Sequence, residues 1–175
     1  HPLDDTTRVF LDGGAAPVLV TLGSNGAIGP DDFFGHATRL VLDQGVRALV
    51  VTGPGGRADD VTGLDGVHVT EYVAFSEVMD RCRAAVHHGG VGTTVAAIRA
   101  GLPQVVVPKG FDQPDTAARV EALGIGLAVP WHKRHRRLAP TLHQVLSEPL
   151  FGQQAAALGA VVREEDGATM SADII

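Results

Sequence analysis

Short, apolar, β-branched runs alternate along this chain with longer stretches of helical periodicity. The runs are bounded by Gly, Pro or Asp, which is typical of strands that each lead into a helix. Such βα units build a parallel sheet with helices on both faces, so its strands can be apolar throughout. The sequence therefore predicts an α/β fold: a Rossmann-like, doubly wound parallel sheet of about six strands flanked by helices.

The same patterns place the individual elements. Strands are predicted over 17–22, 48–52, 67–70, 84–87, 104–107 and 126–129. Helices are predicted over 6–12, 31–43, 76–81, 92–100, 114–122, 140–147 and 152–165. The basic run 131–137 falls before the helix predicted to start at Pro140, and we interpret it as a solvated loop whose only role is a contact with a neighbouring domain.

Composition limits the class of protein. The chain has 175 residues, of which 45% are hydrophobic and 19% charged, as expected for one soluble globular domain. A net charge of −6 argues against a nucleic-acid partner. The single cysteine, Cys82, is expected to be a small core residue; it excludes an internal disulfide and favours a reducing cytoplasm. No apolar run approaches the roughly 20 residues of a membrane span, so we expect no integral membrane segment.

The most informative stretch is 84–95, Ala-Ala-Val-His-His-Gly-Gly-Val-Gly-Thr-Thr-Val, a buried strand that enters a helix through a glycine-rich turn. Unpaired amides at the helix start, the helix dipole, the hydroxyls of Thr93 and Thr94 and the ring of His88 together suit a diphosphate. The glycines that let a ligand approach are Gly89, Gly90 and Gly92. The spacing matches neither the dinucleotide fingerprint nor a P-loop. The alternative is a tight turn with one histidine packed in it.

A second turn, 22–26, follows the first predicted strand and precedes a helix. Because the carboxyl ends of parallel strands face the ligand crevice, this turn is expected to lie near the first one. Ser24 is then placed to donate to a phosphate oxygen. An ordinary surface turn explains the same residues equally well.

A third candidate is the loop 108–113, which lies between an apolar strand and a helix. Asp112 and Gln113 supply acceptors and donors that suit the vicinal hydroxyls of a sugar. The alternative is that Asp112 caps the following helix. No Asp-x-Asp pair or His/Cys/Asp cluster stands at metal-ligand spacing, so we expect no metal site.

Three blocks of residues resemble a known family. They are Leu-Val-Thr-Leu-Gly-Ser (19–24) followed by Phe33 and Phe34, Tyr-Val-Ala-Phe (72–75) before Cys82, and the stretch from Val86 through Thr94 to Gln104, Asp112 and Gln113. In order and spacing they are similar to GT-B glycosyltransferases that act on natural products, lipids and sterols, including rhamnosyltransferase-like members.

The resemblance implies that the chain is one half of a GT-B fold. Residues 1–15 would be an interdomain linker and first helix, and 16–175 the nucleotide-sugar donor-binding domain. The absent N-terminal domain, or a partner chain, would bind the acceptor and supply the catalytic base, so no catalytic residue is assigned here. The implied roles are diphosphate binding by Ser24, His88, Gly89, Gly90, Gly92 and Thr93, sugar binding by Asp112 and Gln113, and nucleobase binding by Tyr72, Val73 and Phe75.

The resemblance also implies a reaction. It is inverting, metal-independent transfer of a hexose or deoxyhexose from a UDP- or dTDP-linked donor to a hydroxylated small molecule or lipid, with no cofactor and little activity by this chain alone. Ala96 stands where plant-type members carry a ribose-gripping Glu, which favours dTDP over UDP. Two alternatives stay open: a non-catalytic nucleotide-sugar-binding subunit or regulator, and half of a nucleotide-sugar epimerase.

Overall fold

The computed structural model describes residues 3–23 and 32–165. Within these ranges six strands alternate with seven helices, which confirms the predicted α/β fold. The strands are β1 (Val18–Thr21), β2 (Ala48–Val51), β3 (Val67–Thr70), β4 (Ala84–His87), β5 (Gln104–Val106) and β6 (Gly126–Ala128). The helices are α1 (Asp5–Asp12), α2 (Phe33–Asp43), α3 (Phe75–Val78), α4 (Val91–Ala100), α5 (Gln113–Ala122), α6 (Arg134–Ser147) and α7 (Pro149–Glu164).

The strands form one parallel sheet in the order β3-β2-β1-β4-β5-β6. The chain moves outward from β1 to β3, then returns to the other side of β1 and moves outward again to β6. The two central strands are followed by helices on opposite faces of the sheet, α2 after β1 and α4 after β4, and this reversal opens a crevice at the carboxyl ends of the strands. Thr21 of β1 pairs with His87 of β4, so the crevice lies directly above these two residues.

Helices cover both faces of the sheet. On one face, α2 and α6 pack against side chains such as Val20 and Val86. On the other, α1, α3 and α4 pack against side chains such as Leu19 and Leu49. Each such fully buried side chain contributes about 1.5 to 3 kcal/mol relative to an exposed one. Burial on both faces explains why the central strands are apolar at nearly every position.

The predicted loop at 131–137 is wrong. Trp131–Lys133 form a 3-10 turn that leads directly into α6 at Arg134, so the helix begins six residues before the predicted start at Pro140. Proline is favoured in the first turn of a helix, which is why the sequence pattern placed the start there. In the structure Pro140 lies further inside α6, where its ring nitrogen cannot donate the usual backbone hydrogen bond.

Tertiary contacts of Trp131 and Arg134 explain the earlier start. The Trp131 ring stacks on Phe33, the first residue of α2, with ring centroids 5.5 Å apart. The cationic groups of Lys109 and Arg134 lie 4.3 Å and 4.6 Å from the centre of the same ring. Arg134 also donates a hydrogen bond to Asp32 Oδ1 at 3.1 Å. These contacts dock the beginning of α6 on the beginning of α2.

Cys82 is buried, as predicted for a small core residue. Its Sγ lies 3.3 Å from the carbonyl oxygen of Val78, and burial raises the pKa of the thiol to about 12, so it stays protonated at neutral pH. Across the part of the chain that the structure describes, every helix is too short or too polar to cross a bilayer.

Candidate functional site

The junction between β4 and α4 leaves the start of the helix without a side-chain cap. Gly90 is the N-cap residue and has no side chain to accept a hydrogen bond from the first turn. The amides of Val91, Gly92 and Thr93 have no acceptor within the helix, because an α-helical amide bonds to the carbonyl four residues earlier. Together with the helix dipole, these amides make the N-terminus of α4 suited to an anion.

His88 packs against this helix end, between two glycines. A β-carbon built on Gly90 would lie 2.5 Å from His88 Nε2, and one built on Gly23 would lie 2.9 Å from His88 Cε1. The imidazole therefore fills the space that side chains at both positions would need. This packing brings Gly23, two residues after β1, and the start of α4 together around one ring.

The ring of His88 is neutral at neutral pH. Burial is the main cause and lowers its pKa; the carboxylate of Asp112 opposes this shift, and the charge of Lys109 adds to it. His88 Nδ1 is buried and has no hydrogen-bond partner among the described residues. A neutral imidazole carries one N–H and one acceptor nitrogen, so His88 can donate one hydrogen bond to an anionic ligand.

A cleft of about 490 Å³ opens beside the start of α4. Its lining includes Tyr72, Val73 and Phe75, the residues predicted to bind a nucleobase, together with Gly92 and Thr93, predicted to bind a diphosphate. Val73 is buried, whereas Tyr72 is 64% exposed. The structure thus brings two of the predicted groups to one cleft.

Other residues of this cleft were not singled out from the sequence. Gly53 and Pro54 follow β2, and Glu71 follows β3; all three line the cleft. The signal that would have found them is their position, because each lies within three residues of the end of a strand at the carboxyl edge of the sheet. None of them belongs to a recognisable motif.

Gly92 and Gly89 are glycines for different reasons. A β-carbon on Gly92 would meet nothing within 4 Å, so packing within the described residues does not require glycine there, although glycine costs a helix up to about 1 kcal/mol relative to alanine. Gly89 has φ +92°, and a β-carbon there would lie 2.8 Å from Val106 Cγ1. The fold itself requires Gly89, whereas Gly92 keeps open space at the cleft.

Two further groups of the predicted diphosphate site are already bonded within the protein. The Gly89 amide donates to His87 Nδ1 at 3.1 Å, and the hydroxyl of Thr94 donates to the Gly90 carbonyl at 3.0 Å. The contribution of Gly89 is therefore the shape of the turn rather than a free N–H. Ser24 lies outside the described residues.

The two predicted sugar-binding residues, Asp112 and Gln113, have different surroundings where the loop before α5 enters the helix. Asp112 is exposed and occupies the N-cap position of α5, but its side chain makes no capping hydrogen bond, so the alternative role of helix cap is not seen. Gln113 is buried, and its Oε1 accepts from the amides of Lys109 (2.8 Å) and Gly110 (3.2 Å). Gln113 therefore holds the loop closed. Phe111, 92% exposed with φ +58°, turns the chain before Asp112, and no sequence signal marks it.

The arrangement can hold an anion attached to an apolar or aromatic group. An anion at this position would meet backbone amides, a neutral histidine and the positive end of a helix dipole, and a group attached to it would meet the lining of the cleft. Within 3–23 and 32–165, no three His, Cys, Asp or Glu side chains form a group that could hold a metal ion.

A family model matches residues 40–169 of the chain. Its family is described as "Erythromycin biosynthesis protein CIII-like, C-terminal domain". The matched range contains the β4–α4 junction, most of the cleft lining and the loop before α5. The chain belongs to this family.

Curated relatives of the chain are named as glycosyltransferases. The chain is 36% identical over 161 residues to the O-mycaminosyltylonolide 6-deoxyallosyltransferase of Streptomyces fradiae, covering 90% of the chain and 37% of that protein. It is 33% identical over 187 aligned positions to the vancomycin aglycone glucosyltransferase of Amycolatopsis orientalis, covering all of the chain and 42% of that protein. The chain thus spans about two fifths of the length of these relatives.

A solved structure shows the same fold. The chain superposes on the glycosyltransferase VinC, whose crystal structure is in complex with dTDP, with a TM-score of 0.74 and 26% sequence identity. The superposition covers 93% of the chain and 41% of VinC. The share of VinC that the chain covers is similar to the share of the curated relatives that it covers.

Proposed function

We propose that this chain is the donor-binding domain of a glycosyltransferase and that it binds a nucleoside-diphosphate sugar. One observation carries the proposal: the uncapped start of α4, with Gly92 facing open space, lines the same cleft as Tyr72, Val73 and Phe75. The free amides and the dipole at the helix end suit a diphosphate. The nucleoside joined to the diphosphate needs an apolar cleft next to that helix end. The family and its named relatives support this assignment.

In the proposed complex the donor lies along the carboxyl edge of the sheet. Its diphosphate lies at the start of α4, where His88 and Thr93 add side-chain donors to the free amides and the turn of Gly89 and Gly90 shapes the backbone. Ser24, outside the described residues, is proposed as a further donor from the sequence alone. Its base lies in the cleft. Its sugar extends toward β5, where the exposed carboxylate of Asp112 accepts from hydroxyl groups and Gln113 fixes the loop.

We further propose that the nucleotide is dTDP rather than UDP. Ala96 is half-buried on α4 and carries only a methyl group. The resemblance places it where plant-type members carry a Glu that binds the ribose 2′-hydroxyl. A deoxyribose has no such hydroxyl, so it loses nothing at this position. The dTDP complex of VinC, a structure of the same fold, supports this choice.

The proposed reaction is inverting and needs no metal. A base in an N-terminal acceptor-binding domain, preceding a donor domain at 16–175 with 1–15 as linker and first helix, removes the proton of an acceptor hydroxyl. The oxygen attacks the anomeric carbon, and the nucleoside diphosphate leaves with the electron pair of the broken bond. The dipole of α4 and the N–H of His88 stabilise the negative charge that develops on the leaving group.

Isothermal titration calorimetry with dTDP, UDP and GDP tests the proposal. We expect dTDP to bind most tightly and His88→Ala to weaken its binding by about 1 to 3 kcal/mol, the cost of losing a hydrogen bond to a charged group. His132→Ala is the matched control, because His132 is exposed on the turn before α6. The absence of binding of any nucleoside diphosphate, or wild-type affinity in His88→Ala, would overturn the proposed site.

A further inference from the structure

A polar pair lies in the apolar layer between the sheet and its helices. His87 ends β4, Gln104 begins β5, and both side chains are fully buried. Their neighbours on this face of the same two strands are apolar, Ala85 and Val106. Burying polar groups lowers stability unless they are hydrogen-bonded, and apolar side chains of similar size would stabilise such a layer at least as well. The pair therefore calls for a reason other than stability.

The hydrogen bonds of His87 link the sheet to the turn before α4. His87 Nδ1 accepts from the Gly89 amide at 3.1 Å, and a nitrogen that accepts carries no proton. The proton is therefore on Nε2, which donates to Gln104 Oε1 at 2.8 Å. Through the ring, the side chain of Gln104 on β5 fixes the direction of a backbone amide two residues after β4.

That amide belongs to the residue where the chain leaves the sheet. Gly89 has φ +92° and lies too close to Val106 Cγ1 for any side chain, so the turn has one tightly fitted path. On this path the ring of His88 enters the gap between Gly23 and Gly90, and the first amides of α4 face the cleft. A shift in the direction of the Gly89 amide therefore moves both the His88 ring and the first amides of α4, which are predicted to bind the diphosphate.

We propose that His87 is a positioning residue for the donor diphosphate, acting through the Gly89 amide, with Gln104 holding the ring in place. The inference rests on the proposed function, because it concerns the same diphosphate site. His87 does not touch the ligand; it sets the turn that does.

The charge state of the ring agrees with this role. Burial, opposed in part by the bond to Gln104, lowers the pKa of His87 to about 4. At neutral pH the ring is uncharged, and Nδ1 keeps the lone pair that accepts from Gly89. A charged ring would donate from both nitrogens and would lose the bond to the turn.

Two substitutions separate the two hydrogen bonds. His87→Asn carries its amide oxygen on Cγ, the atom that bears Nδ1 in histidine, so it keeps the bond to Gly89 and loses the one to Gln104. His87→Gln carries its amide one carbon further out, near the place of Nε2, so it keeps the bond to Gln104 and loses the one to Gly89. Each variant leaves one buried partner unpaired and is the other's control for lost stability.

The readouts are the dissociation constant for dTDP by calorimetry, the urea midpoint, and hydrogen exchange at the Gly89 amide. We expect His87→Gln to raise the dissociation constant about tenfold and to expose the Gly89 amide to exchange, and His87→Asn to stay within about threefold of wild type, with similar losses in urea midpoint. Equal affinities in the two variants overturn the positioning role. A wild-type chain that binds no nucleoside diphosphate overturns the proposed function, and the positioning role with it.

Gln104→Leu decides the matter if His87→Gln does not fold. Leucine suits the apolar layer and removes the group that holds Nε2, so the ring of His87 is less firmly placed against Gly89. We expect about threefold weaker binding of dTDP in a chain whose urea midpoint stays close to that of wild type. Wild-type affinity in this variant contradicts the inference.

Discussion

Replacing Gly92 with alanine is expected to stabilise the free domain and to weaken its binding of nucleoside diphosphates. Gly92 is the second residue of α4, and a β-carbon there would meet no atom within 4 Å. Alanine is favoured over glycine within helices by up to about 1 kcal/mol, and it also reduces the entropy of the unfolded chain. With no clash to offset this gain, we expect about 0.5 to 1 kcal/mol of added stability, or roughly 1 to 4 °C in melting temperature.

The effect on binding has the opposite sign. The new methyl group enters the cleft that Gly92 lines, where the proposal places a phosphate against the first helical amides. Losing one hydrogen bond between an amide and a charged phosphate costs about 1.5 to 3 kcal/mol, which is roughly a 10- to 150-fold increase in dissociation constant. Stability without ligand and affinity for dTDP are therefore measured on the same samples, by thermal denaturation and by calorimetry.

Gly152→Ala is the matched control. Gly152 lies in α7, and a β-carbon there would also meet nothing within 4 Å. This variant is expected to gain similar stability and to bind dTDP as wild type does. Unchanged affinity in Gly92→Ala would refute the placement of the diphosphate at α4, and a loss of stability would refute the open space beside Gly92.

Three more predictions concern the sugar, the pH and the basic helix. Asp112→Asn is expected to bind free dTDP normally but an intact dTDP-sugar more weakly; equal losses in calorimetry would make Asp112 structural. His87 is neutral in the fold and protonated in the unfolded chain below about pH 6.5, so the free energy of unfolding is expected to fall by up to about 3 kcal/mol as the pH drops from 6.5 to 4. Urea titrations of His87→Asn are expected to show a smaller fall, and an unchanged one would contradict this reasoning. Trp131→Ala is expected to lose about 2 kcal/mol of stability to urea and Trp131→Phe much less, since the ring packs on Phe33; a loss below about 0.5 kcal/mol in Trp131→Ala would show that this contact is dispensable.

The candidate site was only partly accessible to sequence reasoning. The glycine-rich turn after β4 and its possible ligand class could be predicted, because unpaired helix amides and close backbone approach are local properties of residues 84–95. The role of Gly89 could not, since its amide is directed by the ring of His87 and its side-chain space is filled by Val106. The cleft residues after β2 and β3 could be assigned to the carboxyl edge of the sheet from their position, but not to a cleft beside α4, because only the strand order brings them there.

Residue patterns alone predicted the six strands, the helices and, except at α6, their approximate limits along the chain. The hydrophobic period that distinguishes a helix from a strand is a property of residues close together in the sequence. A strand that is buried on both faces is recognisable as a run of apolar residues. The tertiary structure alone decided that Trp131 and Arg134 join a helix, that the ring of His87 is a fixed neutral tautomer, and that Tyr72 and Gly92 share a cleft. These features depend on contacts between elements far apart in the chain, and those contacts exist only once the sheet has its order.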